Sequence, residues 1–319
     1  MPNFPSPPDA GATPALAVVV PATDSPPTLA RCLPAIEAAS GVRDQLLVVR
    51  DPPGAGPSLA RNLGAGRASR PVLVFVDSDV AVHSDALERI RAAFAGDPEL
   101  DAVFGRYDYE PAAPGSVSRF RNLLHAHVHA SSAGPASTFW AGLGAVRADR
   151  FDEVGGFDEA LFGGPAIEDV ELGARLAGAG ARVLCDPEIQ GTHLKRWSLA
   201  SMARTDALAR ARPWARLALA GRAPSDALNL APRRRLGAGL ALAATALALG
   251  RRPGSALAAL GAMVAAEASL FALLRERGGP ALALAGVPLL VLHHLAAAAG
   301  AVLGAIDHER APVASEEAP

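Results

Sequence analysis

The sequence predicts an α/β fold: a mostly parallel sheet, followed by Ala- and Leu-rich hydrophobic helices. In the first 230 residues, short apolar runs alternate with segments of helical pattern, which is typical of a parallel sheet with helices on both faces. The composition changes near residue 232, and apolar stretches dominate after it. The apolar run 72–76 ends directly in two aspartates, Asp77 and Asp79, which is where ligands bind in such sheets.

The strands and helices of the first part follow from the apolar periodicity and the turn residues between the runs. Ser58 and Ser84 are predicted N-caps of the second and third helices. Because the C-terminal ends of parallel strands meet at one edge of the sheet, the turns after them should lie together. Strands are predicted at 15–20, 45–49, 72–76 and 102–104, and helices at 28–39, 58–68 and 84–95.

Composition excludes some classes of function. The net charge of −2 gives no general basic field for nucleic acid. Cys32 and Cys185 have neither the spacing of a metal site nor that of a disulfide framework, which favours a reducing compartment. Residues 1–14 lack the basic and apolar regions of a signal peptide. We expect them and the tail 307–319 to be disordered, and the part before residue 231 to be cytoplasmic.

Three apolar stretches follow the soluble part, at 236–250, 255–274 and 280–306, with arginines between them. A helix needs about 20 apolar residues to cross a bilayer, and the second and third stretches reach that length. The predicted domains are therefore an α/β domain at 15–230 and a membrane region of two to three helices at 231–306. The alternative is a buried helical bundle. Glu267, His293 and His294 should face protein in either case.

The Asp77-Ser78-Asp79 turn is the first chemical signal. Carboxylate oxygens suit Mg²⁺ or Mn²⁺, and the cation would in turn hold a diphosphate. A second acidic cluster at Glu168, Asp169 and Glu171 could supply a general base. Together they suggest a metal-dependent transferase acting on a nucleotide-activated substrate. A single Asp after a strand is more often a turn residue or helix cap, but here aspartates follow three successive strands.

Several motifs in order resemble the family-two inverting glycosyltransferases of GT-A fold, over roughly residues 15–200. They are Val18–Asp24, Ala60–Gly64, Asp77–Asp79, and Gly155–Asp158 followed by Glu168–Asp169. The resemblance implies a hexosyltransferase-type enzyme that uses a nucleotide diphospho-sugar. Two positions depart from the family pattern: Thr23, and Arg50-Asp51-Pro52-Pro53 where the family commonly has Asp-Asp-Gly-Ser. Nucleotide selectivity therefore cannot be carried over.

The resemblance also implies roles for individual residues. Asp169 is expected to be the catalytic base. The expected ligands of Mg²⁺ or Mn²⁺ are Asp79, Asp77 and His193. Residues expected to bind the nucleotide sugar are Pro21, Asp24, Asp51, Arg61, Asp77 and Ser78. Residues expected on the acceptor side are Trp140, Gly142, Glu168, Arg196 and Trp197.

The segment His193–Trp197 resembles the Gln-x-x-Arg-Trp motif of processive members, with His in place of Gln. This favours non-processive transfer. A hydrophobic region next to the catalytic domain favours a lipid-linked or membrane-proximal acceptor. Two alternatives remain: a processive, polysaccharide synthase-like transferase and a catalytically inactive membrane-anchored scaffold. A nucleotidyltransferase is disfavoured because no Gly-rich phosphate loop follows the first strand.

His125, His127 and His129 alternate in the sequence. On a strand they would share one face, and on a helix they would spread around it. A zinc site would need a fourth ligand, and none is near in the sequence. The segment 204–214 carries arginines and Trp214, which predicts an amphipathic helix at the headgroup layer of a membrane.

Overall fold

The computed structural model describes residues 13–162, 164–223 and 232–310. The chain divides into two compact units. We call Met1–Asp108 with His129–Lys195 the sheet unit, and Tyr109–Val128 with Arg196–Pro319 the helical unit. The predicted lead-in 1–14 and tail 307–319 lie mostly outside the described residues. Residues 307–310 form the last turn of a helix.

Eight strands make one sheet in the order β2-β1-β3-β7-β5-β8-β4, and β6 pairs with β8. The strands are β1 Leu16–Pro21, β2 Gln45–Val49, β3 Val72–Val76, β4 Val80–Val82, β5 Ala102–Tyr107, β6 Gly134–Pro135, β7 Leu143–Arg147 and β8 Val183–His193. The helices up to β8 are α1 Leu29–Ala39, α2 Pro57–Ala65, α3 Ala86–Gly96, α4 Ser116–Ala130, α5 Ala148–Glu153 and α6 Glu168–Gly178.

The α/β fold class is confirmed, but the sheet is mixed. Strand β1 runs parallel to β2 and β3, and β5 runs parallel to β8. Strand β7 is antiparallel to both β3 and β5, and β4 and β6 are antiparallel to β8. The sequence did not indicate β7 because Gly144 and Ala145 in its centre are poor strand formers. The antiparallel pairings it makes were therefore not foreseen.

The boundaries of β2 and β3 agree with the prediction, and β5 extends three residues further. Both predicted N-caps are wrong. Helix α2 begins at Pro57, which suits the first helical position, and its N-cap is Gly56 rather than Ser58. Helix α3 begins at Ala86 with Asp85 as N-cap, two residues later than the pattern suggested.

The helical unit continues with α7 Leu199–Arg204, a π-helix Thr205–Ala211, α8 Arg212–Leu219, α9 Pro232–Leu249, α10 Pro253–Ala266 and α11 Ala268–Arg310. Its hydrophobic core includes Phe120, Trp197, Met202, Leu270 and Leu290. The predicted apolar stretch 255–274 is divided between α10 and α11 at residue 267. Among the described helices, only α11 is long and apolar enough to cross a membrane. It is kinked at residue 279.

Candidate active site

The loops after β1 and β2 are joined at the C-terminal edge of the sheet. The backbone amide of Ala22 donates to Val49 O at 2.8 Å, and the hydroxyl of Thr23 donates to a backbone carbonyl of the β2 loop at 2.5 Å. Thr23, which departs from the family pattern, thus ties the two loops together. Asp24 and Asp51 are both exposed there. The expected nucleotide residues of the first two strands therefore share one edge, next to Pro21 at the end of β1.

Arg61 of α2 links the Asp-x-Asp turn to the start of α6. Its Nη2 lies 2.7 Å from Asp77 Oδ1, and its Nη1 lies 2.8 Å from Glu168 Oε1. The guanidinium also lies over the ring of Phe157, 5.2 Å from its centroid. Arg61 is only 4% exposed. Its charge therefore stabilises two carboxylates that are far apart in the sequence.

Asn62 and Gly64 of the Ala-Arg-Asn-x-Gly segment also have structural roles. The side-chain amide of Asn62 donates to Phe157 O at 2.9 Å, and its oxygen accepts from Phe157 N at 2.9 Å. It thereby fixes the Gly-Gly-Phe-Asp loop to α2. A Cβ on Gly64 would lie 2.2 Å from a methyl carbon of Val19, so only glycine allows α2 to approach β1 this closely.

Asp169 stands in the first turn of α6. Its Oδ2 accepts a hydrogen bond from Ala141 N at 3.2 Å, and its Oδ1 accepts one from Val170 N at 2.8 Å. Burial raises the pKa of Asp169 to about 7, and the negative charge of Glu168 adds to this, whereas Arg61 opposes it. A carboxylate with a pKa near neutrality is suited to accept a proton from an acceptor hydroxyl.

Asp79 and His193 face each other at the ends of β4 and β8. His193 Nε2 lies 3.4 Å from Asp79 Oδ2, because the register pairs Val80 with His193. The backbone carbonyl of Asp79 accepts from Leu194 N at 2.8 Å. Burial alone would raise the pKa of Asp79, but His193 lowers it, so the carboxylate is ionised. The ring of Tyr107 stacks on the His193 imidazole at 4.1 Å and 8°.

These residues fit a divalent cation that is shared with substrate. The Asp79 side chain is 26% exposed, so its carboxylate is accessible, and a carboxylate oxygen is a ligand that suits Mg²⁺ and Mn²⁺. Within the described ranges, no three His, Cys, Asp or Glu residues are grouped to hold a metal ion. A Mg²⁺ or Mn²⁺ site that takes one or two protein ligands and completes its shell with phosphate and water needs no such group.

Trp140 and Gly142 lie next to Tyr107 and Asp77, respectively. Trp140 is buried and meets the ring of Tyr107 edge-on at 4.9 Å and that of His129 at 5.0 Å. The carbonyl of Gly142 accepts from Asp77 N at 3.1 Å. A Cβ on Gly142 would lie 2.4 Å from the Trp140 indole. The glycine is therefore required where the chain passes the indole.

Arg196 and Trp197 belong to the helical unit. Arg196 is exposed, whereas Trp197 is buried in the core of that unit. Trp197 N donates to Ser118 Oγ at 2.9 Å, and the Arg121 guanidinium lies 5.5 Å from its ring centroid. Trp197 is therefore a core residue of the helical unit.

The three alternating histidines lie on α4 and spread around it, as expected for a helix. His129 Nδ1 lies 3.0 Å from Gly105 O in the sheet unit, and His127 Nε2 lies 3.3 Å from Ser269 Oγ in the helical unit. Sequence reasoning missed Tyr107. The available signal was an aromatic residue at the end of a strand, in a chain with only two tyrosines.

The α/β sheet carries the Asp-x-Asp turn after β3, and α6 carries the half-buried carboxylate of Asp169 in its first turn. Both are features that the motifs of a sugar-transferring enzyme suggested. Residues 18–208 match the family described as glycosyltransferase like family 2. The chain belongs to this family and carries its enzymatic domain.

Two relatives complete the comparison. Pre-mycofactocin glycosyltransferase of Mycobacterium tuberculosis, in two strains, is 31% identical over 165 residues, which cover 50% of this chain and 34% of the relative. The match thus spans about a third of the length of these curated relatives. A mannosyltransferase from Pyrobaculum calidifontis, solved with GDP-Man and Mn²⁺, has a TM-score of 0.55 at 20% identity and covers 96% of this chain and 91% of its own. That likeness confirms the fold.

Proposed function

We propose that the protein transfers a sugar from a nucleotide diphospho-sugar to a hydroxyl or phosphate of a membrane-proximal acceptor, with inversion and without processivity. The observation that carries this proposal is the link that Arg61 makes between Asp77 of the Asp-x-Asp turn and Glu168, the chain neighbour of Asp169. One site, at Asp77 and Asp79, suits the diphosphate end of a donor. The other, at Asp169, has a pKa of about 7 and suits a base.

Asp169 is the proposed catalytic base. It takes the proton of the acceptor hydroxyl as the acceptor oxygen forms its bond to the anomeric carbon. The bond from that carbon to the diphosphate oxygen breaks in the same step, and the nucleoside diphosphate leaves. A single displacement of this kind inverts the anomeric centre. A phosphate acceptor is already ionised and would depend less on the base.

Asp79 and His193, with Asp77 beside them, are the proposed ligands of Mg²⁺ or Mn²⁺. Such a cation, when bound, supplies positive charge against the negative charge that develops on the leaving diphosphate. The complex of the Pyrobaculum calidifontis mannosyltransferase with GDP-Man and Mn²⁺ supports a donor and cation of this kind. The proposed donor-binding residues are Pro21, Asp24, Asp51, Arg61, Asp77 and Ser78, and the proposed acceptor-side residues of the sheet unit are Trp140, Gly142 and Glu168. The acceptor-side roles of Arg196 and Trp197 stay predictions.

Non-processive transfer is supported by His193. It replaces the Gln of the processive motif, is buried, and faces Asp79. That position suits the donor diphosphate better than a growing polymer. A polysaccharide synthase-like enzyme and an inactive scaffold of the same fold remain the alternatives, and the second is disfavoured because both Asp79 and Asp169 are present in the sequence.

Membrane attachment is supported by α11. We propose that the helical unit holds the enzyme at the cell membrane, with the catalytic domain in the cytoplasm and a lipid-linked or otherwise membrane-proximal acceptor. The multi-pass arrangement that three apolar stretches suggested stays a prediction.

The test is calorimetric binding of a panel of nucleoside diphosphates and their sugars, with Mn²⁺, with Mg²⁺ and with chelator. We expect metal-dependent binding that is lost in Asp79→Ala and retained in Asp169→Asn, with transfer lost in both variants. Lack of binding to any nucleotide under every metal condition would overturn the proposal and favour the inactive scaffold.

A further inference from the structure

The net charge of the chain is near zero, but the two units carry net charges of opposite sign. The sheet unit contains 14 basic and 23 acidic residues, whereas the helical unit contains 16 basic and 9 acidic residues. Every basic residue of the helical unit is an arginine. An excess of one sign in one part of a chain indicates a partner of the opposite sign for that part.

The helical unit also carries the apolar surface. Among the described residues, twelve large hydrophobic side chains are exposed, and eleven of them lie in this unit. The exception is Val42 of the sheet unit. Leu249, at the end of α9, is 82% exposed, and Leu236, Leu242 and Leu257 on α9 and α10 are also exposed. A surface that is both apolar and positively charged fits an anionic lipid bilayer, which offers acyl chains and phosphate groups together.

Helices α9 and α10 form a hairpin that is too short to cross a bilayer comfortably. They have 18 and 14 residues, which correspond to about 27 and 21 Å at 1.5 Å per residue. The hydrocarbon core is about 30 Å thick. Only residues 250–252 connect the two helices.

Exposed arginines flank both ends of α9. Arg233 and Arg235 stand in its first turn, and Arg251 and Arg252 form the connection to α10. If the hairpin crossed the bilayer, one of these pairs would have to reach the far side, against the retention of arginine on the cytoplasmic side. A hairpin that lies along the membrane surface brings all four into the headgroup layer of one leaflet.

We propose that α9 and α10 lie in the plane of an anionic lipid leaflet, with the Arg251-Arg252 turn on the same side of the membrane as the sheet unit. The inference rests on the proposed membrane attachment and names its partner. The exposed leucines enter the acyl boundary, and Arg251 and Arg252 bind lipid phosphates. The hairpin then holds the enzyme at the leaflet without crossing it, which leaves α11 as the one candidate span among the described helices and would replace the multi-pass arrangement.

The first experiment determines the side of the turn. The natural cysteines, Cys32 and Cys185, are buried, so an introduced cysteine can be labelled selectively. Arg251→Cys and the control Val42→Cys, which is fully exposed in the sheet unit, are treated with a membrane-impermeant maleimide in intact and lysed spheroplasts, and denatured samples establish full reactivity. We expect both to react only after lysis. Reaction of Arg251→Cys in intact spheroplasts, with Val42→Cys protected, would mean that the hairpin crosses the bilayer and would overturn the proposal.

The second experiment tests the lipid. The full chain with an environment-sensitive fluorophore on Leu249→Cys is reconstituted into phosphatidylcholine vesicles with or without phosphatidylglycerol, and the same fluorophore on Val42→Cys is the control. We expect a blue shift and protection from an aqueous quencher for position 249 only, and only with phosphatidylglycerol. Insertion that is equal in both lipids, or a fluorophore at 249 that stays in water, would overturn the proposal. The latter result would point to an acidic protein as the partner.

The arginine contribution has a matched comparison. The double variant Arg251→Gln, Arg252→Gln should lower the equilibrium constant for insertion of the hairpin about thirtyfold, because each arginine near an anionic surface contributes about fivefold in affinity. The double variant Arg31→Gln, Arg67→Gln removes the same charge from exposed positions of the sheet unit. It should change the equilibrium constant for insertion less than twofold. Equal effects of the two pairs would overturn the proposal. No measurement here uses a nucleotide or a sugar, so loss of nucleotide binding with normal insertion would refute the proposed transferase function alone.

Discussion

Replacement of Arg61 by methionine tests whether this residue holds the two carboxylate sites together. Glu168 has a side-chain exposure of 6% and pairs with Arg61 at 2.8 Å. Removal of one partner of a buried ion pair costs about 3–5 kcal/mol, because the other charge is left uncompensated. The Asp77 side chain is 32% exposed, and a pair that water screens contributes only about 0–1 kcal/mol. We therefore expect the Glu168 contact to dominate the loss.

The assay is amide hydrogen exchange of the full chain, followed in peptides from α2 and α6. A loss of about 3–5 kcal/mol accelerates exchange by roughly a hundredfold to a few thousandfold, at 1.36 kcal/mol per factor of ten. Arg89→Met is the control, because Arg89 and Asp85 form an exposed pair on α3, and its effect should stay within about 0.5 kcal/mol.

The double variant Arg61→Met with Glu168→Met separates charge from packing. It removes both buried charges and should recover most of the stability lost in the single variant, because apolar replacements of a buried pair are often neutral. An acceleration below tenfold in Arg61→Met, or a double variant as unstable as the single one, would refute the reasoning.

Three further predictions concern the base, the imidazole and the close approach of α2. The activity should rise with pH through about 7, because Asp169 must be deprotonated to accept a proton. Glu168→Gln should shift this rise to lower pH, since it removes a negative charge that raises the pKa of Asp169. Both effects are measured from pH profiles of nucleoside diphosphate release. Tyr107→Leu should weaken metal-dependent nucleotide binding by about 10- to 100-fold through loss of the stacking that orients His193, as measured by calorimetry. Gly64→Ala should destabilise the sheet unit by about 1–3 kcal/mol through overpacking against β1, as measured by hydrogen exchange.

Each of these predictions has its own control. Glu37→Gln, an exposed carboxylate on α1, should leave the pH profile in place; a shift to higher pH in Glu168→Gln would contradict the assignment. Tyr107→Phe keeps the ring and should bind like the natural chain, so a Leu variant with unchanged binding would exclude the positioning role. Gly66→Ala meets only ordinary contacts, and equal effects at positions 64 and 66 would exclude overpacking.

The sequence predicted the first half of the sheet well because its strands are dense in β-branched residues. Val72–Val76 and Gln45–Val49 agree with the structure to the residue. The later strands were harder to recognise. Strand β7 contains small residues at its centre, and β8 includes Asp186 and Pro187. Their places in the sheet depend on long-range pairing rather than on local pattern, so single-residue propensities did not reveal them.

The site was predictable in composition but less so in its connections. Asp79 and His193 were both expected near a cation, and the register of β4 on β8 brings them to 3.4 Å. The link from Arg61 to Glu168 spans 107 positions of the chain, and no local signal predicts such a pairing. The division of the apolar stretch 255–274 at Glu267 was also not foreseen, since one charged residue among apolar ones seldom ends a helix without tertiary contacts.

The charge balance of the site explains two of its properties together. Four carboxylates, those of Asp77, Asp79, Glu168 and Asp169, lie on the edge and the first turn of α6, and Arg61 neutralises part of this charge. Burial, together with the remaining repulsion, raises the pKa of Asp169. The same negative charge would repel a diphosphate, because the diphosphate is itself negatively charged. We therefore expect donor binding to require a divalent cation near Asp79, because the same acidic surroundings that raise the pKa of Asp169 would repel a diphosphate.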